Sequence, residues 1–191
     1  MNIATKITFA RIFFVPIFLV LILLNTWESI LFALIIFILG GVTDTIDGIL
    51  ARKYNTVTKI GATLDPLADK LLITTALISL LNFKELKIPV WTVIVIVLRD
   101  YIITWVRTLD HEKSMPADKT AKIKTFLQNI VIICILFILI FKKQILNLKL
   151  EKILIYYFPR ISMVVVALFT LVSGLIYLVK YRGLILENFK Q

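Results

Sequence analysis

Four aspartates share one short stretch, DTIDGILARKYNTVTKIGATLDPLADK, at residues 44 to 70 of an otherwise strongly apolar chain. Asp44 and Asp47 are three apart and Asp65 and Asp69 four apart, spacings that put each pair on one face of a helix. A turn of about a dozen residues between two such helices brings the faces together. Four converging carboxylates at the edge of an apolar medium repel one another, so protons or cations must neutralise them. All-oxygen ligands without His or Cys select hard ions, Mg²⁺ or Mn²⁺, and this many carboxylates can hold two. Two such ions point to phosphate chemistry.

The residues between the pairs fit a phosphate ligand. Gly48 and Gly61 remove side chains where a ligand could approach the backbone. Arg52 can fork onto a phosphate, and Thr58 offers a hydroxyl. Pro66 suits the first turn of a helix beginning near Asp65. Each residue also has an ordinary reading: helix-end polar groups at Asp44 and Asp47, an N-cap at Asp65, interfacial anchors at Arg52 and Lys53. Their coincidence at these spacings favours a site.

The elements that must position them are membrane helices. Of the 191 residues, 60% are hydrophobic, and mean hydropathy is +0.95. Apolar runs at 12–24, 30–42, 71–81, 88–106, 130–141 and 161–179 predict an all-α bundle of six transmembrane helices in a single domain covering residues 1–191. No repeat or long linker divides it. With six spans both termini share a side; 13 Lys and Arg fall there against seven on the other, which predicts cytoplasmic termini. The basic segment 142–160 reads as an amphipathic stretch on the membrane surface or as solubilising loop charge. A net charge of +10 could indicate nucleic acid, but no soluble basic domain exists to hold it, so nucleic acid is excluded as a partner. Cys134 and His111 are each single, which excludes an intrachain disulfide and a histidine-rich metal site.

The stretch resembles the signature of the CDP-alcohol phosphatidyltransferase family, matched at Asp44, Asp47, Gly48, Ala51, Arg52, Gly61, Asp65 and Asp69 with every spacing kept. The resemblance implies that Asp44, Asp47 and Asp65 hold the metal ions, that Asp69 adds a ligand and acts as general base, and that Gly48, Arg52, Thr58 and Gly61 hold CDP-diacylglycerol. It also implies a homodimer. The opening MNIATKITFAR is similar, through Asn2, Thr8 and Arg11, to that of the bacterial phosphatidylglycerophosphate synthases of this family, and Thr8 joins the donor-binding set.

Arg99 and Arg107 lie just over two turns apart in the fourth apolar run, and Lys122 and Lys124 open the fifth; four cations around an embedded cleft predict an acceptor that carries a phosphate. RDYIITWVR at 99–107 and AKIKT at 121–125 resemble the same group of synthases through Arg99, Thr104, Arg107, Lys122, Lys124 and Thr125. Asp100 and Tyr101 are mild changes, and Trp105 and Ala121 replace glycines. The expected acceptor is sn-glycerol 3-phosphate, the alternatives being inositol phosphate or phosphatidylglycerol, and the expected place a bacterial cytoplasmic membrane with the site facing the cytosol. A cation or proton-coupled transporter is the reading from another class, since intramembrane acids also mark ion paths. The inverted repeats common in such proteins are not detectable.

Overall fold

The structure, a computed structural model, describes the backbone of residues 3–54, 59–108, 119–146 and 151–182, and the side chains of residues 10–43, 70–106, 122–146 and 151–182. Among the described residues it is all helical. Six long helices, α1 (Ile3–Leu24), α2 (Trp27–Tyr54), α3 (Lys59–Leu80), α4 (Val90–Thr108), α5 (Lys119–Ile140) and α7 (Phe158–Lys180), are accompanied by a short α6 (Lys142–Ile145). A 3₁₀ turn at Lys84–Leu86 precedes α4, and a π-helical turn at Lys152–Tyr157 runs into α7.

Local chemistry explains the tight α1 to α2 reversal. Asn25 adopts a left-handed conformation (φ 50°), which asparagine tolerates better than most residues. Thr26 and Ser29 then cap α2 reciprocally. The Ser29 N–H donates to Thr26 Oγ1 at 3.2 Å, and the Thr26 N–H donates to Ser29 Oγ at 3.0 Å, so two donors of the first turn are satisfied.

α1 packs against α2 and α3, α4 packs against α7, and α5 joins the two groups by packing on both α2 and α7. Phe18, Ile22, Phe37, Leu77, Leu80, Ile132 and Leu136 form part of one continuous core. The outside is apolar too: Phe13, Leu23, Phe32, Trp91, Phe126, Leu175 and Val179 are all exposed. A bundle apolar on both its inner and outer surfaces is a membrane protein. Two described stretches, Lys122–Ile140 and Lys152–Lys180, are long and apolar enough to cross a bilayer, and the parts of α1, α2 and α3 whose side chains are described, Ala10–Leu24, Trp27–Thr43 and Lys70–Leu80, are apolar as well.

Two expectations change. The connection between the carboxylate-bearing helices is shorter than a dozen residues, because α2 runs on to Tyr54 and α3 begins at Lys59. Pro66 therefore lies in the second turn of α3, not the first, where its missing N–H removes one intrahelical bond.

The described parts of the 142–160 segment, 142–146 and 151–160, are also more structured than a free loop. Lys142 Nζ donates to Glu85 Oε1 at 2.5 Å, tying α6 to the turn before α4. Lys87 and Arg160 both stand over the Tyr156 ring, 5.1 and 5.9 Å from its centroid. Partial burial pushes the Glu85 carboxyl up, but the Lys142 hydrogen bond, a backbone hydrogen bond and the ammonium charge outweigh it and hold the group below its ordinary value. A carboxyl depressed in this way stabilises the fold above its unfolded value and loses that contribution as pH falls through its folded one. Both side chains are about a third exposed, so the effect is under about 1 kcal/mol. Lys142→Met should lower Tm slightly at pH 7 and not at pH 3 in detergent micelles; equal losses at both would show that the pair's charge contributes nothing.

Candidate active site

The carboxylates belong to two neighbouring helices. Asp44, Asp47, Gly48 and Arg52 lie in α2, and Gly61, Asp65 and Asp69 in α3. Their side chains, and that of Thr8 in α1, are outside the described set, as is the whole of Thr58. What the structure gives is their placement. α2 and α3 come together at Gly40, where a Cβ would run into Leu72 Cδ2. Asp44 follows Gly40 by four residues and Asp69 precedes Leu72 by three. Across two helices joined by a connection of four residues, these two aspartates each stand about one turn beyond the same close approach. The glycine has a positional reason here, since the buried Leu72 occupies the space a side chain would need.

That placement fits a hard divalent cation. Two carboxylate pairs, each one turn apart and carried by adjacent helices, supply an all-oxygen donor set. Among the described residues there is no competing cluster of His, Cys, Asp or Glu.

A second polar cluster lies between α4, α5 and α7. Lys124 is 1% exposed and donates from Nζ to both oxygens of Asp100, at 2.5 and 2.6 Å. Arg99 Nη1 approaches Asp100 Oδ1 at 3.3 Å, and its Nη2 donates to Ser173 Oγ at 3.0 Å. One carboxylate therefore holds two cations, and α7 positions one of them.

Gly174 is the device that lets Arg99 pass. A Cβ there would sit 2.9 Å from Arg99 Cγ and 3.4 Å from its Nε. Gly174→Ala should push the guanidinium off Ser173 and, if Arg99 serves an anionic substrate, raise that substrate's KM several-fold with little change in Tm. An unchanged KM would show that Arg99 tolerates the displacement or does not meet the substrate.

The predicted cations thus differ in their surroundings. Arg99 and Lys124 are brought together by Asp100, while Lys122 is exposed near the start of α5. Arg107 lies in the last turn of α4 with its side chain outside the described set. Trp105 is 50% exposed on the outside of the bundle, so its ring does not fill the cleft in place of the glycine expected there. Sequence reasoning missed the part played by Asp100, Ser173 and Gly174. Their signal was weak but present: an acid beside Arg99, and a Ser-Gly pair inside the otherwise apolar α7.

A profile of the family described as CDP-alcohol phosphatidyltransferase matches residues 1–175. A protein of Bacillus subtilis named CDP-diacylglycerol–glycerol-3-phosphate 3-phosphatidyltransferase is 38% identical over 187 residues, covering 91% of each chain. Proteins of the same name from Rickettsia typhi and Wigglesworthia glossinidia brevipalpis are 35% and 34% identical over 130 and 141 residues. Those matches cover 66% and 71% of this chain, and 71% and 77% of the respective relatives.

Proposed function

The chain belongs to the CDP-alcohol phosphatidyltransferase family, and from that premise we propose that it transfers the phosphatidyl group of CDP-diacylglycerol to sn-glycerol 3-phosphate, giving phosphatidylglycerophosphate and CMP. The observation that carries this reading is the pairing of two constellations in one chain. The signature aspartates flank the Gly40 and Leu72 approach of α2 and α3, and Arg99 and Lys124 gather across α4 and α5. The relatives' shared name supplies the acceptor.

In this reading Asp44, Asp47, Asp65 and Asp69 hold two divalent ions, Mg²⁺ or Mn²⁺, which stabilise negative charge on the phosphate oxygens. Asp69 takes the proton from the acceptor hydroxyl. The hydroxyl oxygen attacks the lipid-linked β-phosphorus, the bond from that phosphorus to the oxygen of CMP breaks, and the displaced oxygen leaves in line. Thr8, Gly48, Arg52, Thr58 and Gly61 hold the donor. Arg99, Arg107, Lys122 and Lys124 hold the acceptor's phosphate, with Lys124 acting chiefly through Asp100 to set the position of Arg99. Holding both substrates in register supplies much of the rate.

The same proposal has six spans, cytoplasmic termini and the site facing the cytosol of a bacterial cell, in a homodimer. The greater number of cations on the terminal side supports that orientation.

The test is CMP release by the purified protein from CDP-diacylglycerol with Mg²⁺, comparing glycerol 3-phosphate, inositol phosphate, phosphatidylglycerol and no acceptor. Release with glycerol 3-phosphate alone is the expected result. Release only with another alcohol would keep the aspartate chemistry and overturn the acceptor, and no release under any condition would return attention to ion transport.

A further inference from the structure

Gln128 is 1% exposed in α5, and neither its amide oxygen nor its amide nitrogen has a hydrogen-bond partner among the described residues. The same holds for the hydroxyl of Thr170 in α7, which is fully buried. A buried amide left with all its capacity unused is costly, and in a bundle surrounded by lipid it marks a place built for a polar guest.

Their positions say which guest. Gln128 follows Lys124 by four residues on α5, so it stands one turn deeper on the same inward column. Thr170 precedes Ser173 by three on α7, which runs the opposite way across the site and therefore also lies one turn deeper. Both are directly below the layer in which Asp100, Lys124, Arg99 and Ser173 interlock. Beneath them the columns turn apolar, to Ile132 and Leu136 on α5 and to Ala167, Val166 and Met163 on α7, all buried. On these two columns Gln128 and Thr170 are the last polar groups before an apolar floor. Because α5 packs on both α2 and α7, it stands between a helix that bears two of the aspartates and the helix whose Ser173 holds Arg99.

We propose that Gln128, assisted by Thr170, is the specificity determinant for the acceptor's middle hydroxyl. This rests on the acceptor reading above. A three-carbon phosphate held by the cations of the upper layer reaches down about one helical turn, and an amide can both donate to and accept from the hydroxyl that does not react. A site made to hydrogen-bond a hydroxyl rejects the analogue that lacks it, since the protein's own polar atoms are then left unpaired.

The experiment compares glycerol 3-phosphate with 3-hydroxypropyl phosphate, which lacks only the middle hydroxyl, as acceptors for the full-length enzyme with CDP-diacylglycerol and Mg²⁺. The wild type should favour glycerol 3-phosphate in kcat/KM by about a hundredfold. Gln128→Met, close in size and shape, should reduce that preference at least about tenfold by lowering kcat/KM for glycerol 3-phosphate while leaving the analogue's value nearly unchanged. Thr170→Val should move the ratio in the same direction by less. A preference that is the same in wild type and both variants would overturn the proposal and leave Gln128 a structural or water-binding residue. A loss of kcat/KM by the same factor for both acceptors would also overturn it. Absence of CMP release from the wild type with either phosphate would instead defeat the acceptor reading, and this inference with it.

Discussion

Asp69→Asn is expected to reduce phosphatidyl transfer by about 10²- to 10⁴-fold, the range a positioned general base contributes, while metal binding survives in part. The amide keeps an oxygen that can ligate a cation but cannot take up the acceptor's proton at neutral pH. Asp44→Asn should lose transfer and metal binding together. In the proposed ligand set its carboxylate has no duty except to the ions, so the lost charge falls entirely on metal affinity. CMP release and Mn²⁺ titration by paramagnetic resonance, run on the same preparations, separate the two outcomes. Wild-type turnover in either variant would defeat the assigned chemistry.

Asp100→Ala should have the largest effect on stability. It removes the carboxylate from a buried Lys124 that has it on two hydrogen bonds, and takes from Arg99 its neighbouring negative charge. Breaking a buried pair from one side costs about 3–5 kcal/mol, because the remaining ion keeps its desolvation penalty without compensation. Thermal unfolding in detergent should show a large drop in Tm, and the double variant Asp100→Ala with Lys124→Met should recover much of it by removing the stranded charge. If the double variant is no more stable than the single one, the pair is not what holds α4 to α5.

The contrast between these two predictions reflects what a sequence can disclose. The proposed Asp44 to Asp69 constellation is local: both pairs fall within one stretch of chain, so its spacing can be read directly. The long helices were legible for a similar reason, as uninterrupted apolar runs have few other uses. Asp100 and Ser173 are different. They are 73 residues apart in sequence and meet only through Arg99, a link that depends on how α4 packs against α7. Gly174 likewise reads as an ordinary small residue in an apolar helix until the Arg99 side chain is seen crossing it. Gln128 carried half a signal, standing four residues after Lys124, but its burial without a partner is a property of the packed bundle. The first turn assigned to Pro66 failed because local proline preference yielded to a helix already begun at Lys59.

In the sequence the apolar run of α2 closes at Val42 and that of α3 opens at Leu71, although both helices extend beyond those points. Every signature aspartate falls in the interval between. With the proposed site there, the reaction lies on the seam between two solvents, and its partners never mix in either. The donor is confined to a sheet of lipid, where what matters is its mole fraction among neighbouring lipids, while the acceptor arrives from three dimensions at an ordinary concentration. Of the products, one stays in the sheet and the other is diluted into water, so separation of the products is built into where the helices change character. The rate of an enzyme so placed follows the donor's share of the surrounding lipid as well as the amount of enzyme.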